Sequence, residues 1–204
     1  MELIEGVFLL IFNIFLALGQ LALLFLYASK AILKTKGYEK LLISILLVHI
    51  AFGVFHYWFI FGEQVDANNY YYLPAKLTSW LSTFDTVYST GVEVIYFLIY
   101  PFVKLGVSFY NVFMFFTILS LVGFYKLLFL FKESFEQYDL KFNWMVYVLF
   151  LLPSFHFFIV PIGKDVIIFY ALVSIFTNLK KNLFFSVTNL LWLFLLFIIR
   201  PHIF

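Results

Sequence analysis

Long apolar runs separated by short polar stretches set the pattern of this chain. A helix needs about 20 apolar residues to cross roughly 30 Å of hydrocarbon. Runs of that kind occur at Val7–Ala28, Leu41–Phe61, Val107–Phe131 and Phe142–Val160, the last interrupted by Pro153. Two shorter ones follow, Val166–Leu179 and Leu183–Ile199. The apolar stretch Val94–Val103 is too short to cross and contains Pro101, so it reads as an interfacial or re-entrant element. The pattern predicts an all-α, polytopic helical membrane protein: one membrane domain over residues 1–204, about six transmembrane helices, one short re-entrant or interfacial segment, and an outer loop at 62–106. The first run is not read as a cleavable leader, because it follows Glu2 and Glu5 rather than lysines and is too long for a leader's apolar core.

Charge tests the topology. If Val94–Val103 does not cross, Lys30, Lys34, Lys36, Lys40, Lys126, Lys132, Lys141, Lys180 and Lys181 share one side, nine of the 13 basic residues. That is the cytoplasmic excess the positive-inside rule describes, and it puts both chain ends outside. If the segment crosses, Lys180 and Lys181 part from the first cluster. The first arrangement is the expectation.

Composition narrows the class. Of 204 residues, 65% are hydrophobic, 24% aromatic and only 12% charged, against about a quarter charged in a soluble domain. With a mean hydropathy of +1.04, a soluble enzyme, a nucleic-acid binder and a disordered tail are all excluded. The net charge of +2 implies no acidic partner. There is no cysteine, hence no disulfide, no thiol nucleophile and no Cys-held metal. No metal cage or cofactor motif is expected.

With so little polarity, each polar residue in an apolar run carries weight. Asn13 and Gln20 are seven apart and share a helix face, as interhelical hydrogen bonding requires. His49 and His56 repeat that spacing around Gly53. Their side chains lie about 10 Å apart, too far for one metal, so they read as packed, hydrogen-bonded groups; His56, nearer the outer end, is the better candidate for a functional role. The outer loop carries Asp66, the tyrosine run Tyr70–Tyr72, and Trp80. Aromatics at a membrane surface form an anchoring belt; alternatively Tyr70, Tyr71 and Trp80 stack on sugar faces, with Asp66 as a general base.

The stretch from Leu151 to Asp165 holds Pro153, Ser154, His156, Pro161, Gly163, Lys164 and Asp165. Two prolines and a glycine break the helix near the outer surface, where broken backbone is tolerated only beside protein or water. The apolar run that follows has 14 residues, or about 21 Å of helix, so either the bilayer thins or the helix extends upward through Lys164 and Asp165. Charges drawn that deep mark a functional site or else a plain surface ion pair. Arg200, the only arginine, ends the last run and is followed by Pro201 and His202. Its planar fork suits phosphate, although a snorkelling role is equally available to it.

The Leu152-Pro153-Ser154 and Gly163-Lys164-Asp165 elements, the Phe/Ile-rich helix behind them and Arg200-Pro201-His202 together resemble bacterial polysaccharide polymerases, the EpsG-like or Wzy-type membrane proteins of O-antigen and exopolysaccharide synthesis. Ile95–Leu105, Phe113–Phe124 and Asp66-Ala67-Asn68-Asn69-Tyr70 are similar to further parts of those proteins, so the resemblance spans about residues 60–204. It implies a membrane glycosyltransferase at the outer face of the bacterial inner membrane, acting on lipid-diphosphate-linked oligosaccharides. One repeat unit's hydroxyl attacks another's anomeric carbon and releases the lipid diphosphate. Lys164 and Arg200 would bind the diphosphate, Asp66 or Asp165 would serve as base, and His156 or His202 would assist. Such proteins carry further helices after the Arg-Pro-His element, so the resemblance also implies that this is the front half of one, cut by truncation or a split reading frame.

Two other readings stand beside it. One is a transporter or flippase component for a polysaccharide precursor, with the charges and histidines lining a path. The other is a non-catalytic membrane subunit that docks partner membrane subunits of an export system through its polar helix faces. Polar residues gather at the outer surface rather than at mid-membrane, which favours the transferase.

Overall fold

A computed structural model describes residues 2–35, 37–62, 66–83, 91–140, 144–183 and 185–200. Every regular element among them is helical. In chain order they are α1 (Glu2–Lys34), α2 (Glu39–Gly62), α3 (Asp66–Lys76), a 3-10 turn at Leu81–Thr83, α4 (Val92–Lys104), α5 (Phe109–Gln137), α6 (Trp144–Leu151), α7 (Pro153–Ile159), α8 (Lys164–Lys180) and α9 (Val187–Ile199). Three helical stretches, Glu5–Lys34, Glu39–Phe59 and Phe109–Gln137, are long and apolar enough to cross a membrane, while Trp144–Ile159 and Val187–Ile199 are apolar but shorter. An all-helical build with three such helices fits a membrane protein. So does α1, which turns Phe8, Phe15 and Phe25 outward, about 70% exposed.

Polar contacts sort the bundle into two ends. At one, Lys180 Nζ lies 3.5 Å from the Glu133 carboxylate and donates to Ser134 Oγ at 3.2 Å, and Lys132 sits over the Tyr38 ring. The α1–α2 turn and the C-termini of α5 and α8 therefore meet in a lysine-bearing end. At the other end, α3 packs along α4, α4 meets α9, and Arg200 reaches the N-terminus of α8. Gly91 caps α4 with φ of +97°, and a Cβ there would run into the Ile199 carbonyl oxygen, so α4 and α9 close on bare backbone. The region read from sequence as a loop at 62–106 thus holds two packed helices.

The helix breaks follow the prolines, and side chains take up what the prolines release. Proline has no N–H, so the carbonyl four residues earlier loses its helical donor. Pro101 frees the Phe97 carbonyl, and the Trp80 indole N–H donates to it at 2.7 Å. Pro161 frees the Phe157 carbonyl, and His56 Nε2–H donates to it at 2.7 Å. Pro153 starts α7 and ends α6; the Phe150 carbonyl at that break accepts from His156 Nε2–H at 2.9 Å. Neighbouring side chains re-satisfying freed backbone is the condition for a broken helix in an apolar medium.

A second polar cluster ties α1 to α5. Asn13 Nδ2 donates to the Leu9 and Gly106 carbonyls, and its Oδ1 accepts from the Ser108 N–H and from Asn111 Nδ2, both at 2.7 Å. Gln20 Nε2 donates to the Asn111 carbonyl at 2.9 Å. The shared face of Asn13 and Gln20 is an interhelical clamp, and Asn111 is its other jaw.

Candidate functional site

A cavity of about 430 Å³ opens at the end of the bundle opposite Lys132 and Lys180. Its walls are the first turns of α3 and α8, the α7–α8 turn and the last turns of α2; Asp66, Tyr70, Lys164 and Asp165 line it with His56 and Phe157. The helix begins at Lys164 rather than at Val166, so the short apolar run is extended upward by the two charged residues.

The α8 N-terminus is built without a side-chain cap: Gly163 precedes it and makes no capping bond. Its first amides therefore keep their donors, and the positive end of the helix dipole faces the cavity. A lysine at that end runs against the dipole and, with the helix amides, offers an anion donors beside the carboxylates of Asp66 and Asp165. Asp165, next along, accepts from Arg200 Nη2 at 3.1 Å. That pair is part-exposed, 45% for the Asp165 side chain and 35% for Arg200, so its worth to stability is small. Among the described residues, Lys164 and Asp66 make no ion pair.

Tyr70 stands between the two helix starts. Its ring meets Tyr96 edge-on at 6.0 Å, and a Cβ on Gly163 would touch it at 3.7 Å. Burial, then the nearby Asp66, Tyr96 and Asp165, push its phenol up to about 12. The hydroxyl is therefore a neutral donor at physiological pH. Together the cavity offers a cation and helix amides for an anion, a carboxylate acceptor in Asp66, and a hydroxyl donor between them.

Other residues singled out in the sequence go elsewhere. Tyr71 donates its hydroxyl to the Val107 carbonyl at 2.7 Å and packs edge-on to Phe109. Trp80 stacks on Phe97 at 4.6 Å while its N–H holds the Phe97 carbonyl. Both have their polar atoms committed to backbone and neither lines the cavity, where Tyr70 is the one of the three present. His156 is fully buried, with Nδ1 3.0 Å from His49 Nδ1 and Nε2 on the Phe150 carbonyl. Neither nitrogen is left to assist a reaction in the outer cavity. His202 lies outside the described residues. Among those residues, no cluster of His, Asp or Glu could hold a metal ion.

No family model, no curated protein and no solved structure matches this chain. The site is thus described by its own geometry. Sequence reasoning placed Asp66, Lys164, Asp165 and Arg200 in one region because each is a charge beside long apolar runs. It singled out His56 as the better functional candidate of its pair, and His56 does line the cavity; its tie to the Phe157 carbonyl, across 101 residues, was not legible.

Proposed function

We propose that this chain spans the bacterial inner membrane about six times with both ends outside, and that its outer cavity binds lipid-diphosphate-linked oligosaccharide for transfer between repeat units. The observation that carries the reading is the convergence of Lys164, the uncapped α8 N-terminus and Asp66 on one cavity. A diphosphate needs cations and N–H donors, which Lys164 and the α8 amides supply, with Arg200 behind Asp165. In the transfer, an acceptor hydroxyl forms a new C–O bond to the donor's anomeric carbon as the bond to diphosphate breaks. Asp66 takes the hydroxyl proton, and the negative charge departs with the lipid diphosphate. Tyr70 donates to a sugar or phosphate oxygen. The lysine-bearing end, at the opposite end of α8, supports the orientation by the positive-inside rule.

The test is binding of a polyprenyl-diphosphate-linked oligosaccharide to the full chain in nanodiscs. Lys164→Gln should weaken binding about tenfold, as expected for loss of one charge-assisted contact, while Asp66→Asn should leave binding intact and abolish chain lengthening. Equal affinity of Lys164→Gln and the parent protein would remove the diphosphate assignment. Cysteines at Leu81 and Lys34 test the topology: an impermeant thiol reagent added outside intact cells should label the first and spare the second.

A further inference from the structure

Away from the outer cavity, α2, α5 and α7 enclose His49 and His156, 1% and 0% exposed. Their Nδ1 atoms face each other at 3.0 Å. The far nitrogen of His156 lies 2.9 Å from the Phe150 carbonyl. The far nitrogen of His49 lies 3.0 Å from the Thr117 carbonyl and 2.7 Å from Ser120 Oγ. A carbonyl oxygen only accepts, so His156 carries a hydrogen on Nε2. If His49 does the same with no further proton, two bare Nδ1 lone pairs confront each other across 3.0 Å.

Two protonation patterns remove that conflict. In the neutral one, the Ser120 hydroxyl donates to His49 Nε2, and His49 carries its hydrogen on Nδ1 and donates it to His156 Nδ1. In the other, one more proton is present. His49 Nε2–H then donates to Thr117 O and Ser120 Oγ, and Ser120 turns its hydroxyl to the Thr117 carbonyl, 2.9 Å away. The added proton sits on His49 Nε2, and the hydrogen between the two Nδ1 atoms, carried by His49 in the neutral pattern, is now shared by both rings. Both patterns use the same heavy-atom positions and differ by a hydroxyl rotation and one proton.

We propose that the His49–His156 pair is a proton-binding site that takes up one proton at His49 Nε2 and then shares the hydrogen between its facing Nδ1 atoms. A positive charge here opposes burial away from water, and the surroundings answer that cost with aromatic faces. The His156 ring is stacked between Phe124, at 4.4 Å and 10°, and Phe52, at 6.0 Å and 13°. His49 meets the Phe124 ring at 5.5 Å. Phenyl faces attract a cation, and sharing the proton spreads its charge over two rings. Around the pair, α5 presents Thr117, Ser120 and Phe124, α2 presents Phe52, and α7 presents Phe155; among the described residues each imidazole is the other's ionisable neighbour. A cavity of about 240 Å³ lined by His49, Gly53, Tyr57 and Thr117 borders the site.

The experiment is nitrogen-15 NMR of histidine-labelled full chain in nanodiscs from pH 8 to 4.5, with helix content followed by circular dichroism. We expect the two rings to titrate together in one step, taking up one proton, with a scalar coupling across Nδ1–H···Nδ1. Ser120→Ala removes the donor that supports the neutral pattern but leaves Thr117 O for the charged one, so the midpoint should rise by about one pH unit. Rings that stay neutral to pH 4.5 in a folded chain, or titrate in independent steps, would overturn the proposal. So would an unmoved midpoint in Ser120→Ala. Should that variant fail to fold, the joint step and the cross-ring coupling in the parent chain decide.

Discussion

Trp80 and Pro101 offer a test of how this fold tolerates broken helix backbone. Trp80→Phe keeps a ring against Phe97 but removes the N–H that donates to the Phe97 carbonyl at 2.7 Å. A hydrogen bond of this kind contributes about 1 kcal/mol net, and a carbonyl left dry costs about 1–3 kcal/mol. Trp80 is 45% exposed, so the low end applies, and about 1 kcal/mol is expected. Pro101→Ala returns a backbone N–H at the position where α4 already runs on to Lys104. In that background the Phe97 carbonyl regains its own helical donor, and Trp80→Phe should lose only ring area. The double-mutant cycle therefore carries a coupling energy of about 1 kcal/mol, a factor of about five in the unfolding constant. Reversible unfolding in mixed micelles, read by circular dichroism, measures it. A Trp80→Phe cost that is the same with Pro101 and with Ala at that position would refute the capping argument. A sugar-stacking role for Trp80 would instead show as lost glycan affinity at unchanged stability.

Three further outcomes follow from the packing. Asn13→Leu should destabilise by about 2 kcal/mol, because it breaks several interhelical bonds worth about 0.6 kcal/mol each and strands their partners, whereas Gln20→Leu should cost about a third as much; equal costs would show that Asn13 is not the hub. Gly123→Ala puts a Cβ 2.7 Å from Phe169 Cε1, so α5 and α8 must part or the ring must move, at about 1–3 kcal/mol; Phe169→Leu in the same chain should recover most of that, and failure to do so places the strain elsewhere. Tyr70 should titrate near 12 in an alkaline difference spectrum against Tyr70→Phe, since its folded value is raised above the ordinary 10. Its contribution is present in full below pH 10 and fades as pH climbs through 12. A missing phenolate signal centred near 10 would place Tyr70 in water.

The apolar runs and the outer charges were legible because each is a local property of the chain. Lys164 and Asp165 stand out where 14 apolar residues follow a proline-rich break, and α8 starts at Lys164. Asn13 was legible as an interhelical donor, but its partner Asn111 was not, because pairing across 98 residues leaves no trace in spacing. His49 and His56 appear in sequence as one pair on one face; in the fold they part, His49 to His156 and His56 to a carbonyl. The outer segment read as a loop is helical at α3 and α4. Its short apolar stretch suggested only that it does not cross, and said nothing of a second helix to pack against.

The two caps that reach a proline-released carbonyl from another part of the chain share a direction. Trp80 precedes Phe97 by 17 residues, and His56 precedes Phe157 by 101. During synthesis each donor therefore leaves the ribosome before the acceptor it serves. When the interrupted stretch from Trp144 to Ile159 is made, α2 already precedes it with its imidazole available. A circularly permuted chain that began at α5 would reverse this schedule and leave the Phe157 carbonyl without its donor until α2 followed. For these two caps the order of helices along the gene delivers the remedy before the backbone defect, whereas at the Pro153 break His156 follows the Phe150 carbonyl it serves.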